Sequence, residues 1–137
     1  MRKSTLCLLV AAGLAASATA GRAQTHPTGP AAPYQPVSAL VDLPDFIPGM
    51  GTLYVDPATL PAGPFLAFDR DGRLVSTIYM IPLAGMNEHR NFEGLAVGGA
   101  GVDHVDIQYN AGHPGVAEPH YHVVLWTVSA EKAAELR

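Results

Sequence analysis

The stretch Asp103-His104-Val105-Asp106-Ile107-Gln108-Tyr109-Asn110-Ala111-Gly112-His113-Pro114-Gly115-Val116-Ala117-Glu118-Pro119-His120-Tyr121-His122-Val123-Val124-Leu125-Trp126 decides how this chain is read. From Asp103 to Tyr109 polar and apolar residues alternate. Val105, Ile107 and Tyr109 fall on one face; His104, Asp106 and Gln108 fall on the other. Successive side chains on a strand point to opposite faces, so this pattern predicts a half-buried antiparallel strand. His120 to Val128 predicts a second strand. It is apolar on both faces beyond His122, as expected of a central position.

Upstream, Thr52–Val55, Phe65–Phe68 and Leu74–Ile81 read as strands, separated by turns at Pro48-Gly49-Met50-Gly51, Asp56-Pro57 and Pro61-Ala62-Gly63-Pro64. Asp71-Gly72 lies between the last two strands, where glycine accepts positive φ cheaply, so a hairpin is expected there. Val37–Phe46 holds packable apolar residues, and Pro44 argues against a long helix. Met86–Leu95 reads as a short helix or a surface loop, followed by Gly98-Gly99-Ala100-Gly101. Downstream, Ser129 suits a helix N-cap with Glu131 in the first turn, giving a short closing helix over Ala130–Leu136. The expected fold is mainly β: about six short strands in an antiparallel sheet or small barrel, with a short C-terminal helix, as a single domain over residues 37–137.

The N-terminus has the order of a secretory signal: Arg2-Lys3, the apolar run Leu6–Ala16, and the small-x-small site Ala18-Thr19-Ala20. Residues 1–20 are therefore expected to be a signal peptide, with residue 23 as the alternative end. The apolar run is short for a membrane span, so no stable membrane insertion of the mature chain is expected. A periplasmic or secreted location follows. Residues 21–36, rich in proline, read as a tether. Cys7 is the only cysteine and would leave with the signal, so stability has to come from packing, a bound ion or oligomerisation. The net charge is −4 with only eight Lys and Arg. Without a basic patch, nucleic acid is not an expected partner.

Four of the six histidines lie in the opening stretch. His120-x-His122 on a strand puts both imidazoles on one face. A natural antiparallel register sets Gln108 opposite His120, Asp106 opposite His122 and His104 opposite Val124. The intervening loop adds His113 and Glu118, stiffened by Pro114 and Pro119. Imidazole is the commonest protein metal ligand, and a nearby carboxylate either ligates or orients a ring. His104, Asp106, His113, Glu118, His120 and His122 are thus candidate ligands for a divalent transition metal: zinc, copper, nickel or iron. The absence of thiolates argues against a cysteine-type structural zinc site. The competing reading is a set of histidines hydrogen-bonded within an ordinary strand pair. A cupin-like site fails on spacing, since no glutamate follows within four residues of His122. Glu88, His89 and Glu93 fit a solvated face, Met50, Met80 and Met86 fit core filling, and Ser76 and Thr77 lack the glycines of a nucleophile elbow.

Asp103-His104-Val105-Asp106, Gly112-His113-Pro114-Gly115-Val116 and Pro119-His120-Tyr121 together resemble a motif of small exported bacterial proteins of unknown function. That motif runs Gly-His-x-Pro, then Pro-His-Phe-Asp-x-His-Phe-Tyr. Gly49-Met50-Gly51 with Tyr54, and Asp71-Gly72-Arg73-Leu74-Val75 leading to Tyr79-Met80-Ile81-Pro82, are similar too. The resemblance spans roughly Phe46 to Trp126. It departs where His122 stands in place of the aspartate and Val124 in place of the second strand histidine. It implies the fold and export rather than an activity. Three functions are expected to compete: a binding site for a divalent metal or an unidentified small ligand, a metal-dependent hydrolase or lyase-type enzyme with catalytic residues unassigned, and an envelope interaction or homo-oligomer module without a metal.

Overall fold

The structure is a computed structural model that describes residues 29–99 and 101–137. The expected signal peptide and most of the tether lie outside the described residues. Six strands form one antiparallel sheet: β1 (Gln35–Pro36), β2 (Thr52–Val55), β3 (Phe65–Phe68), β4 (Leu74–Pro82), β5 (His104–Asn110) and β6 (His120–Trp126). Their order is β1-β2-β3-β4-β6-β5, so β1 and β5 are edges and the sheet is open rather than closed into a barrel. Two short helices follow β4 and β6: α1 (Leu83–Asn87) and α2 (Ala130–Ala134). Among the described residues, no helix is long and apolar enough to cross a membrane.

Local chemistry explains most of these elements. The β3–β4 turn is closed by Asp69, whose Oδ1 accepts from the backbone N–H of Asp71 and of Arg73, each at 2.9 Å. Gly72 takes φ +77°, a conformation that costs glycine little. Ser129 caps α2 by accepting from the Lys132 N–H, with Glu131 in the first turn. The sheet starts two residues before residue 37: Gln35 pairs with Val55 and Pro36 with Tyr54. Proline is tolerated there because β1 is an edge.

One face of the sheet carries the core. Val55, Phe65, Ala67, Ile78, Met80, Val124 and Trp126 are buried on it, together with Val37 and Leu136 from the covering segments. Val41 and Leu43 pack against this cluster from one side and Val116 from the loop between β5 and β6. On the other face residues 96–99 lie across β4. Tyr79 donates its hydroxyl to the Ala96 carbonyl, and the Gly98 N–H donates to Thr77 Oγ1 at 2.9 Å. Gly98 lies close against this face: a Cβ there would stand 2.2 Å from Leu66 Cδ2, so the Leu66 side chain would have to shift.

One sequence expectation for β5 and β6, their register, needs correction. The strands pair as expected, but two residues further along: Gln108 faces His122, Asp106 faces Val124, and His104 faces Trp126. A shift of two leaves every side chain on its original face. The structure also settles which face of β5 is inward, a point the alternation left open. Val105, Ile107 and Tyr109 are 50%, 68% and 57% exposed, whereas His104 and Asp106 are the half-buried pair. Asp106 accepts from the Trp126 indole N–H at 2.8 Å, and the His104 ring stacks on the Trp126 ring at 5.9 Å. These contacts turn the polar face of β5 toward the core. Alternation located the two faces of this edge strand but did not say which one is covered.

Candidate metal centre

His120 opens β6 and His122 follows two residues later, so both rings project from the core face. They are 0% and 5% exposed. His113 comes from the loop between β5 and β6. Asn110 starts that loop with an Asx turn, its Oδ1 accepting from the Gly112 N–H at 2.8 Å. His113 and Val116 then close a tight loop by exchanging two backbone hydrogen bonds of 2.9 and 3.0 Å. Gly112 has φ +131°, and a Cβ on it would meet the Ala117 carbonyl oxygen at 2.5 Å. A fixed loop therefore aims His113 back at the strand.

The three rings meet through Nε2. His120 Nε2 is 3.0 Å from His122 Nε2, His113 Nε2 is 3.4 Å from His122 Nε2, and all three candidate ligand atoms lie within 4.8 Å of one another. The opposite nitrogens are held by carbonyls: His120 Nδ1 donates to Glu118 O at 2.7 Å and His113 Nδ1 donates to Pro114 O at 3.0 Å. A carbonyl only accepts, so Nδ1 carries the hydrogen in both rings. In neutral imidazoles this leaves both Nε2 atoms as lone-pair acceptors. His122 has one Nε2–H at most and can serve one of them. Burial pushes the His122 pKa down to about 4, helped by His120 and then His113. The cluster is thus short of donors and rich in converging lone pairs. Such a triad could hold a metal ion.

The other candidates are placed elsewhere. His104 is occupied by the stack on Trp126 and by Asp103, whose Oδ1 is 2.9 Å from His104 Nδ1. Asp106 is bound to the Trp126 indole. The Glu118 side chain is exposed, and its contribution is the backbone carbonyl that orients His120. Sequence reasoning missed the Pro114 and Glu118 carbonyls and Asn110. Asn110-x-Gly112 was a readable Asx-turn signal; the carbonyl contacts had none.

An apolar cavity of about 280 Å³ adjoins the triad, with His113 and His122 in its wall. A wider cleft of about 510 Å³ near Tyr54 and Phe68 shares no lining residue with it. The molecule is therefore defined by an open antiparallel sheet with three convergent imidazoles beside an apolar hollow. No family model and no curated protein matches the sequence. Among solved structures the chain is similar to the hypothetical protein TTHB210 from Thermus thermophilus. The two are 47% identical with a TM-score of 0.63, over 69% of this chain and 92% of that one. The chain belongs to the same family as that protein.

Proposed function

We propose that this protein binds one divalent transition-metal ion through Nε2 of His113, His120 and His122. The supporting observation is the spacing of the nitrogens. Metal–nitrogen bonds of about 2.0–2.1 Å at a tetrahedral centre put neighbouring ligand nitrogens about 3.3 Å apart. The two closest pairs stand at 3.0 and 3.4 Å. The carbonyl partners of His113 and His120 set the tautomer that ligation needs. A set of three imidazoles without thiolate suits zinc, copper or nickel and leaves the fourth position to another ligand. The cluster found among the described residues contains no carboxylate.

The proposed setting is periplasmic or secreted, supported by the Arg2-Lys3 start, the apolar run and Ala18-Thr19-Ala20, and by the resemblance to small exported proteins. Mass spectrometry of protein from its host is expected to find a start at Gly21 or Gln24. An intact Met1 terminus in the cytosol would refute export. For the site, titration calorimetry with zinc, copper and nickel at pH 7.5 is expected to give one ion per chain. Binding weakens at pH 5.5, where protons compete for imidazole. No uptake of any of the three ions at pH 7.5 would end the metal reading.

A further inference from the structure

The cavity beside the triad has an uneven wall. Among the described residues its lining includes no Asp, Glu, Lys or Arg, and the only polar side chains there are Asn110, His113 and His122, all at the metal end. The floor is dry core: Val55, Phe65, Ile78 and Met80 are each less than a tenth exposed. At the mouth, Leu40 and Leu60 remain 38% and 44% exposed. Large apolar side chains at the rim of an apolar hollow mark a place where an apolar body enters.

Resting on the metal reading, we propose that the cavity takes a small monocarboxylate with an apolar tail, its carboxylate on the open coordination position and its tail along Ile78 and Met80. The head-group assignment follows from the wall. An apolar lining leaves a cationic head without a counter-charge, whereas a bound divalent ion attracts an anionic oxygen. The second carboxylate oxygen has a donor available. Asn110 Oδ1 is committed to the Gly112 N–H, so its amide NH₂ is the end free to donate. The size follows from the volume. An apolar cavity of roughly 150 Å³ holds benzene, so one of about 280 Å³ holds a ligand of about eleven heavy atoms. An eight-carbon acid has about that bulk.

The test uses the full chain, zinc, and the straight-chain acids acetate, butanoate, hexanoate and octanoate, read by calorimetry. Zinc-loaded protein is expected to gain about fourfold in affinity for each added methylene that enters the cavity. Octylammonium is expected not to bind. Octanoate is expected to tighten zinc by the same factor by which zinc tightens octanoate. Leu60→Trp, at an exposed rim position, is expected to weaken octanoate at least tenfold while leaving zinc affinity unchanged. Failure to bind zinc overturns the metal reading and this inference with it. Zinc binding with no dependence on chain length overturns this inference alone. Equal octanoate affinity with and without zinc overturns the placement of the carboxylate on the metal.

Discussion

The β3–β4 hairpin and the β5–β6 pair are both antiparallel ladders, but they are closed in different ways. Asp69 and Gly72 close the first with a turn whose hydrogen bonds are local. The second is joined by residues 111–119, which fold back on themselves before β6 begins. The short turn fixes its own register. The long loop does not, and its register is set by what it carries: His113 over His122, and Gly115 against Val41. The tight connection serves stability and the long one positions the candidate ligand His113, as is common when functional residues sit on loops held by a rigid scaffold.

The largest effect that separates the two regions should come from the triad itself. His120→Ala removes a fully buried imidazole of the proposed site, the ring that the Glu118 carbonyl holds. Zinc affinity is expected to fall more than a hundredfold, a loss of more than about 2.7 kcal/mol. Calorimetry reads this directly, and unchanged affinity would remove His120 from the site. His104→Ala, at a ring committed to Trp126, is expected to change zinc affinity less than threefold.

Next comes pH. The pKa of His122 is about 4 in the metal-free fold, against an ordinary value of 6.5. Between these values the unfolded chain binds the proton and the folded chain does not, so folding is penalised. Stability from this group is complete above pH 6.5 and is lost as pH falls toward 4. The loss is on the order of 2 kcal/mol. Urea denaturation of metal-free protein at pH 7.5 and 4.5 is expected to show it, and His122→Gln is expected to flatten the slope. A variant with the wild-type slope would assign the pH dependence to other groups.

Glycine substitutions sharpen the contrast between the two connections. Gly72→Val forces a branched side chain to φ +77° and is expected to cost about 1–2 kcal/mol of stability with zinc affinity intact. Gly112→Val strains φ +131° and pushes against the Ala117 carbonyl. It is expected to displace His113 and weaken zinc about tenfold, or about 1.4 kcal/mol. If Gly72→Val altered zinc binding as much as Gly112→Val, the two ladders would be mechanically coupled rather than separate.

What the sequence revealed follows the same division. Asp71-Gly72, the alternation in β5, and Ser129 with Glu131 are local signals, and each placed its element. The pairing of His120 with His122 was legible because period two is a local property of a strand. Three things depended on distant contacts. Trp126 claims both His104 and Asp106, which removes them from the candidate ligands. The same contacts turn the apolar face of β5 outward. The cavity depends on how Val37–Met50 covers the sheet, a tertiary arrangement with no signature in a period or a spacing.

The smallest expected effect lies on β4, the strand of the first hairpin that also pairs with β6. Ser76 is 0% exposed, stands opposite Ala67 in one ladder and Trp126 in the other, and its hydroxyl has no partner among the described residues. A buried hydroxyl without a hydrogen bond has lost its water and gained nothing in return. Ser76→Ala removes that oxygen and leaves a void smaller than a methyl group. The expected result is neutral to stabilising by up to about 1 kcal/mol, measured as the urea midpoint at constant slope. Ser76→Thr adds a methyl group to a closed site and is expected to destabilise by about 1 kcal/mol. A loss of more than about 1 kcal/mol for Ser76→Ala would mean that the hydroxyl is engaged. The centre of the sheet, between the structural hairpin and the histidine ladder, would then hold a polar contact rather than a dry seam.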